Sequence, residues 1–328
     1  MMRIAVTDDW QRVARKCADW TTLQARADVQ FFNEPFGSED AAAAALAPFD
    51  AILVTRERTP FPRTLIDRLP ALKMFGLTGV RAGLIDLAHL QAKDVTVCFT
   101  EGGPGVESTA ELALALMLAA ARRIPASEAS LRAGRFQLDA PQGSVLAGRT
   151  LGLLGLGKIG ARMARYGQAL GMNVLAWSPH LDESRAAEAG ATYVDKASLF
   201  ERSDVVSLHL VLSPRTRHIV AAADLARMKP GAILVNTSRA PLVEESALLA
   251  AARSGHLVAA LDVFEREPLP SGDPWLACPN TVLTPHLGYS VLEVYRDFYV
   301  QCVENALAWL DGKPIRLLPS LAPATPVA

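Results

Sequence analysis

The chain has little of several things, and each shortage excludes a class. Net charge is almost absent: 33 Lys and Arg stand against 34 Asp and Glu in 328 residues, a formal −1. That balance offers nucleic acid or an anionic lipid surface no broad attraction. A long apolar run is missing too. Residues 112–121 form the longest; as a helix they would span about 15 Å, half of a hydrocarbon core of about 30 Å. The opening MMRIAVTDDW meets Asp8 and Asp9 too early to read as a signal peptide. Cysteine is scarce. Cys17, Cys98, Cys278 and Cys302 lie far apart and form no C-x-x-C pair, which argues against a disulfide framework or a metal site. A reducing cytoplasm is therefore the expected setting. No repeat of solenoid period is visible. What remains is a globular composition, 50% hydrophobic and 20% charged, in a chain long enough for two cores.

Short β-rich runs alternate with helical stretches. One series of strands is expected at residues 3–7, 51–55, 73–77 and 95–99. A second is expected at 150–154, 173–177, 205–208, 232–236, 257–263 and 281–284. Most are apolar without alternation, as strands buried on both faces of a parallel sheet should be. Strand–helix alternation predicts an α/β fold with doubly wound sheets. An apolar helix near 106–123 separates the two series, and another near 292–310 follows the last strand.

The strand at 150–154 runs into Gly155-Leu156-Gly157-Lys158-Ile159-Gly160. A G-x-G-x-x-G alone is a weak signal; between a strand and a helix it reads as a dinucleotide turn. The first glycine permits the tight turn, the second lets a pyrophosphate approach, and the third lets helix and strand pack closely. The helix start offers its unpaired N–H groups to the phosphates. The next strand should end on the residue that reads the adenosine ribose. An Asp or Glu there selects NAD, but this chain has Ser178, followed by Pro179 and His180; Asp182 and Arg185 lie further along. The choice between NAD and NADP stays open, with NAD ahead by a small margin.

Three later strand ends carry residues suited to carbonyl chemistry. Arg239 follows the strand at 232–236, and ligands in open α/β sheets sit outside the carboxyl ends of strands. Its rigid fork suits a carboxylate or keto oxygen. Glu267 follows the strand at 257–263, and His286 follows the last strand. Histidine titrates near working pH and is the natural acid/base; a carboxylate beside it would favour the protonated ring and fix its orientation. Singly, each has an ordinary explanation: a structural histidine, a surface charge, a turn cap before Pro268. Together, after a G-x-G-x-x-G unit, they point to a nicotinamide-dependent oxidoreductase.

This arrangement resembles the D-isomer-specific 2-hydroxyacid dehydrogenase family over nearly the whole chain. The resemblance rests on the glycine turn, on His209 within VSLHLVLSPRTRHIV, and on MKPGAILVNTSRA, ALDVFEREPLP and NTVLTPHLGYS. It implies a catalytic set of Arg239, Glu267 and His286. It also implies cofactor contacts at Thr237 and Asp262, extended to His209, Ser238 and Gly288, and a small 2-oxo or 2-hydroxy acid as substrate. The implied organisation is a Rossmann cofactor domain, 101–289, inserted into a flavodoxin-like substrate domain, 1–100 with 290–328. The substrate loop would be LTGVRAGLID, with backbone N–H groups near Val80 and Arg81 holding a carboxylate. A homodimer formed through the cofactor domain, around 122–147, is the expected assembly. Some positions depart from the family pattern. Ser178 replaces the usual Asp, Ala240 follows the catalytic arginine where glycine is common, and Tyr289 stands where glycine or alanine is usual and could narrow the substrate site. A nucleotide-sensing binding protein of the corepressor type is the alternative of another class.

Overall fold

In the computed structural model, residues 1–80 and 83–319 are described. The chain divides into two compact units: Met1–Pro104 with Val291–Ala328, and Gly105–Ser290.

The first unit is built on five parallel strands: β1 (Met2–Thr7), β2 (Ala27–Phe31), β3 (Ala51–Val54), β4 (Met74–Leu77) and β5 (Thr96–Phe99). Their order is β2-β1-β3-β4-β5, the flavodoxin-like arrangement with its switch point between β1 and β3. β3 and β4 are buried at every position, which explains their uninterrupted apolar sequence. The sequence reading has no strand at β2. Along its residues ADVQF, buried Ala27 and half-buried Val29 and Phe31 alternate with exposed Asp28 and Gln30, and it forms an edge of the sheet, so it needs no apolar run. The helix Leu292–Leu310 belongs to this unit and packs on β4. After it, Leu317 bridges antiparallel to Cys98 on β5.

The second unit holds seven parallel strands: β6 (Thr150–Leu154), β7 (Asn173–Trp177), β8 (Thr192–Tyr193), β9 (Val205–Leu208), β10 (Ala232–Asn236), β11 (Leu257–Leu261) and β12 (Thr281–Leu283). The order is β12-β11-β10-β9-β6-β7-β8. Counted from β6, this is the Rossmann order with one strand added, and the crevice lies where the order reverses, between β6 and β9. Two-residue β8 is too short to leave a sequence signal. Successive residues on one strand serve opposite cores: Ile233 and Val235 pack with Leu151, Leu153 and Val205, while Leu234 packs with Leu154, Val206 and Leu208. Each such burial is worth roughly 1.5–3 kcal/mol, so both faces need apolar side chains and the period-two pattern disappears. The helix Gly105–Ala121 buries Ala113, Leu116, Met117 and Ala120 against the helix Lys158–Ala169 and strands β10 to β12.

Candidate active site

β6 ends in the glycine turn, and each glycine has a separate steric reason. Gly155 has φ of +106°, and a side chain there would meet the backbone of His209 at 2.8 Å. A Cβ on Gly160 would lie 2.1 Å from the Gly155 carbonyl oxygen, whereas one on Gly157 would meet nothing within 4 Å. The first and third glycines let backbone meet backbone, and the second leaves open space for a ligand. The helix Lys158–Ala169 starts on Gly157 with no side-chain cap, so Lys158, Ile159 and Gly160 lie in a first turn whose N–H groups have no helical acceptor. The Gly155 N–H bonds the Trp177 carbonyl at 2.8 Å, which sets Ser178 beside the turn. Leu156 lies between the first two glycines.

Two buried polar atoms nearby have no hydrogen-bond partner among the described residues: Thr237 Oγ1 and His209 Nδ1. The other ring nitrogen of His209 is 2.9 Å from Ser207 Oγ. Burial holds the His209 pKa down to about 4, from 6.5, so the ring is neutral at physiological pH. Unsatisfied buried polar atoms cost free energy. An open glycine, an uncapped helix start and these orphaned atoms fit a dinucleotide laid along the carboxyl ends of β6, β9 and β10.

Arg239 lies past β10, on a turn shaped by Asn236. The Asn236 side chain donates to the Arg239 carbonyl at 3.0 Å and accepts from the Ser238 N–H at 3.0 Å. Ser238 Oγ in turn bonds the Leu208 carbonyl at 2.7 Å, tying the turn to β9. One Nη of Arg239 donates to the Ser238 carbonyl at 2.6 Å.

The histidine turn is pinned by Asp262, just past β11. One carboxylate oxygen accepts from Thr284 Oγ1 at 2.6 Å and from the Leu287 N–H at 2.7 Å; the other accepts from the Gly288 N–H at 2.9 Å. Burial pushes the Asp262 pKa up, opposed by these bonds and by His286. The Gly288 carbonyl accepts from Ser108 Oγ at 2.8 Å and Thr109 Oγ1 at 2.9 Å, which joins the turn to the helix Gly105–Ala121. His286 Nδ1 lies 2.5 Å from Glu267 Oε2. The other Glu267 oxygen accepts from the Phe264 N–H at 2.9 Å and closes its own turn. Tyr289 sets its ring against His286, edge to face at 5.9 Å.

The second unit thus holds Arg239, Glu267, His286, Asp262, Thr237, Ser238 and Gly288 on three neighbouring strand ends, with the glycine turn, Ser178 and His209 on β6, β7 and β9. Val80 belongs to the first unit, at the exposed end of β4. Arg81 lies outside the described residues. Asn236, Thr284, Ser108 and Thr109 escaped the sequence reading. Ser108 and Thr109 had a signal, as hydroxyls inside an otherwise apolar helix.

Residues 114–288 match the family model described as D-isomer specific 2-hydroxyacid dehydrogenase, NAD binding domain. The chain is 39% identical over 247 residues to the D-3-phosphoglycerate dehydrogenase of Methanocaldococcus jannaschii, covering 75% of this chain and 47% of that one. It is 38% identical over 258 residues to the hydroxypyruvate reductase of Thermotoga maritima, covering 77% and 83%. It spans about half the length of the phosphoglycerate dehydrogenases from Methanocaldococcus jannaschii and Archaeoglobus fulgidus. Among solved structures, an oxidoreductase from Ralstonia solanacearum superposes with a TM-score of 0.90 at 41% identity over 99% of both chains. The phosphoglycerate oxidoreductase of Vibrio cholerae o395 does so with 0.89 at 39%, over 95% of this chain and 100% of that one. With two parallel sheets, a glycine turn at a switch point and this breadth of likeness, the chain belongs to the D-isomer-specific 2-hydroxyacid dehydrogenase family.

Proposed function

We propose that the chain catalyses reversible hydride transfer between a nicotinamide dinucleotide, NAD or NADP, and C2 of a small 2-oxo or 2-hydroxy acid. The observation that carries this reading is the 2.5 Å contact between Glu267 and His286 Nδ1, on a turn braced by Asp262. The bound dinucleotide would supply the hydride. Arg239 directs its guanidinium to the substrate's carboxylate and keto oxygen and draws electron density from C2. Glu267 occupies Nδ1, so His286 presents Nε2 to the C2 oxygen. In reduction Nε2 gives that oxygen a proton and later recovers one from solvent; in oxidation it takes the hydroxyl proton. Asp262 and the Thr237 turn stand at the nicotinamide end. Val80, Arg81 and Tyr289 come to the substrate by resemblance.

The test is cofactor oxidation with NADH and NADPH in parallel, over a panel of glyoxylate, pyruvate, hydroxypyruvate and 3-phosphohydroxypyruvate. The last two come from the names of the relatives. At least one acid should turn over. Dinucleotide binding without turnover on any acid would instead support the nucleotide-sensing alternative.

The reading includes a homodimer formed through the second unit. Ile124, Leu131, Phe136, Leu138 and Val145 are each more than half exposed and cluster within a short stretch of chain, a concentration of apolar surface that a partner would cover. A cytoplasmic setting fits the four buried free thiols and a nicotinamide supply. Among the described residues no helix is long and apolar enough to cross a membrane.

A further inference from the structure

The histidine turn contains a soft joint. Gly288 stands two residues after His286 and directly before Tyr289, and glycine restrains its own backbone least of all residues. Three hydrogen bonds hold it instead. Its N–H donates to one Asp262 oxygen at 2.9 Å, and its carbonyl accepts from Ser108 Oγ at 2.8 Å and Thr109 Oγ1 at 2.9 Å. A peptide group is planar. Holding the N–H therefore fixes the Leu287–Gly288 peptide, and holding the carbonyl fixes the Gly288–Tyr289 peptide. One plane leads back to His286; the other leads on to the Tyr289 ring that packs against the imidazole at 5.9 Å. A Cβ at position 288 would lie 3.3 Å from Asp262 Oδ2 and 3.4 Å from Thr109 Cγ2, so a side chain there would push against the groups that hold the joint.

Asp262 comes from the neighbouring strand end. The two hydroxyls come from 180 and 179 positions away. Ser108 and Thr109 are the only hydroxyl residues in the helix Gly105–Ala121, whose other side chains are mostly apolar. A serine that served only its own helix would bond the carbonyl four residues back; buried Ser108 gives its single proton across to Gly288. Thr109 has one proton for two acceptors, the Gly288 carbonyl and, at 2.8 Å, the Gly105 carbonyl of its own helix. Gly105 is where the chain enters the second unit, and Ser290 is where it leaves. The hydroxyl pair thus joins the entry and the exit of that unit at the histidine turn.

We propose that Ser108 and Thr109 are positioning residues of the reaction, acting through the Gly288 carbonyl to hold the turn that aims His286 Nε2 at the C2 oxygen. The inference rests on the reading of His286 as the acid/base and deepens it. Glu267 holds Nδ1 and so governs rotation of the ring, but not the backbone from which the ring hangs. Asp262 holds one side of that backbone through the Leu287 and Gly288 N–H groups. The two hydroxyls hold the other side. Proton transfer needs hydrogen-bond reach, and a misplacement of about 1 Å can cost about a hundredfold in rate, so a slack joint two residues from the imidazole is felt in turnover before it is felt in binding.

The test is steady-state kinetics of the full chain, with NADH and NADPH and the four 2-oxo acids named above, on two paired variants. Ser108→Ala with Thr109→Val removes both hydroxyls and keeps the shape at position 109. Ser108→Ala with Thr109→Ser keeps one hydroxyl and loses the methyl. The first pair should lower kcat on the order of ten- to a hundredfold, while KM for the acid and dinucleotide affinity by fluorescence quenching stay within about threefold. The second pair should recover most of that loss. Unchanged kcat in the first pair would overturn the proposal, and so would a loss in the second pair as large as in the first, which would point to packing. If circular dichroism shows the first pair unfolded, Ser108→Ala alone decides. Its kcat should fall by about threefold or more at unchanged dinucleotide affinity, and wild-type kcat would overturn the role. His286→Ala is the control for the underlying reading. Turnover lost there but kept in both pairs would remove the hydroxyl pair and leave the acid/base standing. Near wild-type turnover there, or a wild type that reduces none of the acids, would remove both.

Discussion

His286 has φ of +54°, a left-handed backbone that a side chain of this size adopts at a cost of about 1–3 kcal/mol. The cost is met by over-determination: its N–H bonds the Asp262 carbonyl at 2.9 Å, and the next two N–H groups bond the Asp262 side chain. His286→Ala should lower kcat by about 10²–10⁴-fold while dinucleotide affinity, read by fluorescence quenching, stays within about threefold. Near wild-type turnover in that variant would sink its assignment as the acid/base. Glu267→Gln keeps the shape but loses the charge. It should cut kcat by about ten- to a hundredfold with little change in KM, and a KM effect alone would reassign Glu267 to substrate binding. His209 gives a pH prediction. Its folded pKa of about 4 lies below the ordinary 6.5, so between these values the unfolded chain binds more protons and stability rises with pH. Acidification from pH 7 to 4 should cost the wild type on the order of 3 kcal/mol through this residue. His209→Asn should flatten that part of a urea-denaturation series; an unchanged slope would mean that His209 is not the titrating group. The residue types at Arg239, Glu267 and His286 were readable in sequence because each follows a strand with its own apolar signature. Asn236 and Thr284 were not, because their importance lies in which backbone atoms they reach.

At the scale of elements, the strand-to-helix turn and the histidine turn are the two devices that hold chemistry in place. Gly160→Ala would force a methyl to within 2.1 Å of the Gly155 carbonyl oxygen. The helix must then shift from the strand, and dinucleotide affinity should fall at least tenfold even where the fold survives by circular dichroism. Retained affinity would show that the close packing is dispensable. Asp262→Asn would set an amide donor against a backbone N–H at Leu287 or Gly288 and leave one of them without an acceptor, a cost of about 1–3 kcal/mol. Faster hydrogen exchange confined to residues 286–288, with reduced kcat, is the expected outcome. Exchange unchanged there would remove the bracing role. The second-unit strands were legible to the residue at β6, β7, β9 and β10, because strands covered on both faces have no choice but apolar runs. Edge strands β2 and β8 were not, since one is half exposed and the other is two residues long.

For the whole molecule, the apolar surface at Ile124–Val145 is the feature with the plainest consequence. Phe136→Asp with Leu138→Asp should move the chain from twice its mass to its single mass in light scattering, and an unchanged mass would place any self-association elsewhere. The sequence by itself determined the α/β class, the glycine turn and the polar residues at strand ends. Apolar patterning, glycine sterics and side-chain chemistry are local, and each can be read over a few residues. Only the tertiary structure decided the order β12-β11-β10-β9-β6-β7-β8 and the partners of Asp262, Ser108 and Thr109. Those depend on hydrogen bonds and packing between segments that lie 22 to 180 positions apart, and no local pattern encodes which distant segment will arrive.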